Sequence, residues 1–141
     1  MSSFTDHTHA SLTQLAADGA DALRIADSAV AVWRELDAAL SPIIGQRGVA
    51  ALFKRSLLLT VPEHTSLVAE HWEAQTEGDF ESLRASLKGQ SVSNAIATNG
   101  ALLQQFVDLL TTLIGESLTE RLLQSVLDNH PGHGAVQELS S

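Results

Sequence analysis

His64 and His71 stand seven residues apart in a stretch that also carries Glu63, Glu70 and Glu73. Imidazoles and carboxylates bind metals and move protons, so chemistry is sought here first. On a helix, seven residues make two turns and place both rings on roughly one face. Helical ligand pairs ordinarily stand three or four residues apart, and these two histidines do not. The expected reading is a solvated face beside Trp72, with no metal centre. His7, His9, His130 and His133 lie toward the two ends of the chain, where adventitious metal binding is expected rather than a built site.

The carboxylates continue past these histidines. Glu63, Glu70, Glu73, Glu77, Asp79 and Glu81 fall between Pro62 and Ser82 with no lysine or arginine among them. Nothing in the sequence buries one of them, so they do not form a general acid and base pair. Their common sign could attract a basic partner, and Arg47, Lys54 and Arg55 form a small cluster that could be the complement in another subunit. The candidate partner-binding residues are therefore Glu70, Glu73, Glu77, Asp79, Glu81, Arg47, Lys54 and Arg55, against the plainer reading of a solvated acidic face. Gly45 and Gly48 lack the Lys-Ser/Thr ending and strand context of a phosphate loop, and there is no nucleophile elbow and no cysteine. No catalytic constellation assembles and no cofactor is expected.

Positioning any of these residues falls to helices. Alanine and leucine dominate the periodic segments, tyrosine is absent, and β-branched residues are scattered, so the chain is expected to be an all-α, single-domain bundle of about five to seven helices. A helical piece over 11–17 precedes a break at Gly19. The next helix carries two apolar seams, Leu23, Ala26, Val30, Trp33 and Leu40, and Ile25, Ala29, Val32, Leu36 and Ala39, a wide stripe suited to several neighbours. Pro42 is expected to end that helix, with Ser41 capping the next one, because proline removes a hydrogen bond and crowds the preceding turn. Residues 49–60 place Val49, Leu52, Phe53, Ser56 and Leu57 on one face.

Pro62 restarts a helix to about Thr76, Gly78 ends it, Asp79 caps a short helix and Gly89 closes that one. A second long helix runs from Ser91 or Ser93 to Ile114, with Asn99-Gly100 as a candidate interruption and Gly115 as its stop. Ser117 with Glu120 reads as a capping box opening the last helix, to about Asn129. The expected organisation is a flexible segment over 1–10, the helical domain over 11–129, and a disordered tail over 130–141.

The chain also repeats itself. "LSPIIGQRGVAALFKRSL" from Leu40 and "LTTLIGESLTERLLQSVL" from Leu110 align at an offset of seventy residues. Leu40, Ile44, Gly45, Leu52 and Leu57 are identical to Leu110, Ile114, Gly115, Leu122 and Leu127, while Ile43, Phe53 and Leu36 match Leu113, Leu123 and Phe106 in character. Two explanations stand: an internal duplication with a pseudo-symmetric bundle, or two helix corners alike because glycine stops helices and leucine fills cores.

Composition restricts the partners. In 141 residues, 44% are hydrophobic and 18% charged, against about 25% charged on average, so some apolar surface is expected to meet a partner, a homodimer being the simplest case. A net charge of -9 with eight lysines and arginines excludes a phosphate-binding stripe, so neither nucleic acid nor an anionic membrane is expected. The opening "MSSFTDHTHA" has no basic region followed by an apolar one, giving a cytoplasmic expectation, and the run 49–61 is too short to span a bilayer and is broken by Lys54 and Arg55.

"LKGQS", Leu87 to Ser91, with the preceding "GDFESLR", resembles the Leu-Lys-Gly-x-Ser stretch of histidine-containing phosphotransfer domains. That resemblance implies a helical bundle docking on two-component signalling partners. The family's phosphorylated histidine stands three positions before the lysine, where this chain has Ala85, so the resemblance implies a degenerate relative that docks without accepting phosphate.

The function expected from the sequence is thus a non-enzymatic interaction or regulatory protein that docks a protein partner through helix faces. The alternative is a small-molecule or cofactor sensor whose pocket is lined by Trp33, Phe53, His71, Trp72 and Phe106.

Overall fold

The computed structural model describes residues 3–60 and 80–129, and these form five helices with no strand among them. Helix α1 spans Ser3–Ala17, α2 Ala22–Thr60, α3 Glu81–Lys88, α4 Val92–Ile114 and α5 Glu116–Asn129. The all-α bundle expected from composition is what the described residues form, with five helices among them.

Several local expectations change. Residues 3–10 are helical, not a flexible lead-in, because Phe4, Thr5 and Thr8 are buried and anchor the first turns of α1. Pro42 does not end α2. Its fixed φ suits a helix, the helix continues through it, and Ser41 bonds back to the Asp37 carboxylate rather than capping a new helix. The break falls three residues later, at Gly45, with φ 82° and ψ 157°. Asn99-Gly100 does not interrupt α4, which runs unbroken from its Ser91 cap. Ser117 lies inside the first turn of α5, since that helix opens on the Gly115 carbonyl, which accepts from the Thr119 amide at 3.1 Å. Leu23 is 41% exposed while the rest of its seam is buried. The helix predicted after Pro62, the cap at Asp79 and the tail over 130–141 lie outside the described residues.

The seventy-residue offset extends across the fold. Asp21 caps α2 by accepting from the Arg24 amide at 3.0 Å, and Ser91 caps α4 by accepting from the Asn94 amide at 3.2 Å. Residues 22–44 then match 92–114 in length and lead to Gly45 and Gly115, whose backbones nearly coincide at φ 82°, ψ 157° and φ 91°, ψ 157°. That region of backbone space is essentially restricted to glycine. Before each cap, Gly19 and Gly89 close α1 and α3 at the same offset.

Burial follows the same register. Ile25 and Ala95, Ala26 and Ile96, Ala29 and Asn99, Val32 and Leu102, Trp33 and Leu103, Leu36 and Phe106, and Leu40 and Leu110 are buried pair by pair. Beyond the glycines the correspondence continues with Val49 and Thr119, Phe53 and Leu123, and Ser56 and Val126. Caps, the lengths of 22–44 and 92–114, and the conformations of Gly45 and Gly115 thus agree at one offset. The chain is therefore built as two units, α1 with α2 and α3 with α4 and α5. They pack crosswise around a central α2–α4 pair, with α3 lying mainly on α2 and α1 mainly on α4.

Trp33 occupies the middle. Its ring meets Phe53 at 5.1 Å and Phe106 at 5.2 Å edge to face, and Phe80 at 6.2 Å. Phe53 and Phe80 meet at 5.2 Å and 90°. Each such pair adds roughly 0.5–1.5 kcal/mol beyond the area it buries. The buried hydroxyls of Ser56 and Thr60 are satisfied within α2, Ser56 donating to the Leu52 carbonyl and Thr60 to the Ser56 carbonyl, both at 2.7 Å.

Candidate docking surface

The residues proposed for a ligand pocket separate into two groups. Trp33, Phe53 and Phe106 pack against one another at the centre, where they fill the core rather than line a cavity. Their aromatic character follows from packing demand, and the indole N–H finds its acceptor in Asn99. His71 and Trp72 lie outside the described residues, as do Glu70, Glu73, Glu77 and Asp79.

Glu81 lies on α3 between two arginines, 3.7 Å from Arg34 of α2 and 3.7 Å from Arg84 one turn along its own helix. Arg84 also bonds the Asp27 carboxylate, tying α3 to α2, and that hydrogen bond with the Asp27 charge raises the guanidinium pKa above its ordinary value. Glu81 therefore acts inside the chain, in an exposed ion-pair chain that fastens one unit to the other.

The stretch that resembles phosphotransfer domains serves the α3–α4 junction. Gly89 ends α3, Ser91 caps α4, and the Gln90 side chain accepts from Asn94 and Thr98, both at 3.0 Å, while donating to the Ser86 carbonyl. Ala85, at the position of the missing histidine, is exposed on α3.

Arg47, Lys54 and Arg55 are brought together. Past Gly45, α2 buries Val49, Phe53, Ser56 and Leu57 of the face its periodicity predicts, leaves Leu52 of that face half-buried, and buries Thr60 in addition. Arg47, Ala51, Lys54, Arg55 and Leu58 then fall at helical spacings on the opposite side, and all are exposed. No acidic residue occurs between Asp37 and Thr60, and among the described residues no ion pair joins Lys54 or Arg55. Leu58 is 57% exposed and Leu59 40%, so the cationic face ends in an apolar patch.

The equivalent corner in the second unit has a different chemistry. An open cleft of about 1060 Å³ runs along the end of α4 and along α5, with Asp108, Glu116, Glu120 and Asp128 at its walls and Arg121 as the one cation among its described residues. Sequence reading missed this cleft, because its carboxylates are dispersed over twenty residues and interleaved with neutral ones. The hydroxyls of Thr111, Thr112 and Thr119 donate to carbonyls of their own helices, and no imidazole, thiol or amine stands among the lining residues to activate one. Among the described residues no group of three or more acidic, histidine or cysteine side chains is placed to hold a metal. No described helix is long and apolar enough to cross a membrane.

No protein-family model, curated protein or solved structure matches the chain.

Proposed function

We propose that the chain is a non-enzymatic interaction module that docks a protein partner through the outer face of α2 beyond Gly45. The observation that carries this reading is the exposed stripe of Arg47, Lys54 and Arg55 ending in Leu58, on a helix whose other side is anchored in the core. Cations steer and orient an acidic surface, and the apolar end supplies contact area once water is excluded. The small-molecule reading loses three of its five lining residues to core packing around Trp33.

The test compares the wild-type chain with Lys54→Glu/Arg55→Glu as immobilised baits in a cell extract, with retained proteins identified by mass spectrometry. Both side chains are exposed, so an unchanged far-UV circular dichroism spectrum is expected and serves as the folding control. A defined protein retained by the wild type and lost by the variant supports the reading. Identical retained sets would sink it.

A further inference from the structure

The two corners that the seventy-residue offset relates have the same backbone and opposite charge. After Gly45 the chain carries Arg47, Lys54 and Arg55 with no carboxylate up to Thr60. Around Gly115 it carries Asp108, Glu116, Glu120 and Asp128 against the single Arg121. Each corner also exposes one large apolar side chain two residues before its glycine, Ile43 at 46% and Leu113 at 59%. The other large apolar pairs at this offset, Ile44 with Ile114 and Leu52 with Leu122 among them, are buried or half-buried, so this shared exposure needs an explanation.

We propose that the partner is a second copy of this chain. The basic outer face of α2 in one molecule seats on the acidic α4–α5 cleft of the other, and the reciprocal contact closes a two-fold dimer. The proposal rests on the docking reading above and names its partner. The charges carry it: one face presents Lys54 and Arg55 beside Arg47, with no carboxylate on the helix from Gln46 to Thr60, the other presents four carboxylates and one arginine among its described residues, and both lie on one chain. Each molecule therefore offers one surface of each sign, and a two-fold pair makes both contacts at once, leaving neither surface open. An arrangement that failed to close would propagate into filaments. Ile43 and Leu113, each exposed two residues before its corner glycine, supply the apolar contact that charge pairing alone lacks.

The test is a charge swap read by light scattering. The purified wild-type chain is expected at twice its 15.0 kDa mass in low salt and to shift toward monomer in about 0.5 M salt, where the Debye length is only a few ångströms. The variant Lys54→Glu/Arg55→Glu and the variant Glu116→Lys/Glu120→Lys/Asp128→Lys are each expected to be monomeric, because each now carries two faces of one sign. Mixed in equal amounts they should form a dimer again, which also shows that both are folded.

A monomeric wild-type chain, or a dimer that survives in both variants, would overturn the proposal. So would failure of the mixture to reassociate when circular dichroism shows both variants folded. A third variant, Glu70→Gln/Glu73→Gln/Glu77→Gln, should dimerise like the wild type; loss of its dimer would reassign the acidic contact to that run and overturn the proposal as stated. Absence of self-association leaves the docking reading to its own test, since capture of a different protein does not depend on it.

Discussion

Trp33 donates its indole N–H to Oδ1 of Asn99 at 2.9 Å, across the α2–α4 contact, with both side chains sealed from solvent at 1% exposure. Three phenylalanines surround the indole, so no other polar group is needed to place the ring. The bond joins the two units through their longest helices. It is also the reason that Asn, a poor residue for a helix interior, stands in the middle of α4.

Asn99→Ala should therefore destabilise the fold by about 1–3 kcal/mol, since it leaves the buried indole donor without its acceptor. The melting temperature should fall by several degrees. Trp33→Phe strands the Asn99 amide oxygen in the same way. The double variant should lose less than the sum of the two, by roughly 0.5–3 kcal/mol, in a thermodynamic cycle measured by chemical denaturation; additive losses would count against a direct bond.

Gly45→Ala and Gly115→Ala should each cost about 1–3 kcal/mol, because both glycines sit where a side chain is strained. A Cβ built on either meets nothing within 4 Å, so the loss arises in the backbone and not from a clash. Denaturant midpoints for the two variants should fall by similar amounts. A neutral result at one of them would mean that the two corners differ in conformation.

Leu40→Ala and Leu110→Ala should each lose about 2–5 kcal/mol, as fully buried leucines do. Ile43→Ser and Leu113→Ser, only three residues further on, should stay within about 0.5 kcal/mol of wild type in the monomer. Equilibrium unfolding at low protein concentration separates the two classes; a large loss at Ile43 would show that its side chain is covered within the chain.

Arg84→Gln should lower the melting temperature only slightly, and the difference should shrink as salt is added, since the Asp27 and Glu81 partners are exposed. The sign of its pH dependence follows from the raised guanidinium pKa. The stabilisation is fully present below the ordinary arginine value and is lost only as pH rises through the higher folded value. Between about pH 6 and 9 the wild-type and Arg84→Gln melting curves should keep a constant separation, because the arginine stays charged in both folded and unfolded chains.

Helix periodicity and the glycine stops made most of this architecture legible. The buried face of α2 beyond Gly45 follows directly from the spacing of Val49, Phe53, Ser56 and Leu57. The position of the kink was harder to read, because Pro42 is the stronger local signal and tolerates the helix that Gly45 breaks. The likeness of the two corners was visible in their leucines and glycines, but the matching caps, Asp21 and Ser91, are different residues that perform the same task and could not be aligned by type. Burial of Phe4 could not be foreseen from a polar N-terminal decapeptide, since its receiving surface is supplied by distant helices. Of the surface, the cationic cluster was legible as a cluster. The acidic cleft opposite in sign was not, because only the α4–α5 corner gathers its carboxylates.

Two nearly equivalent halves on one chain create a hazard during folding: in a crowded solution, a first half can meet another molecule's first half, and a second half another's second. The Trp33–Asn99 bond discriminates against both errors. At the seventy-residue offset Trp33 corresponds to Leu103, and Asn99 to Ala29. Paired like with like, two first halves would set each indole N–H against an alanine, and two second halves would set each Asn99 amide against a leucine. Only a first half joined to a second supplies donor and acceptor together, so a like-with-like pairing would leave one of these polar groups buried without a partner, at a cost of about 1–3 kcal/mol.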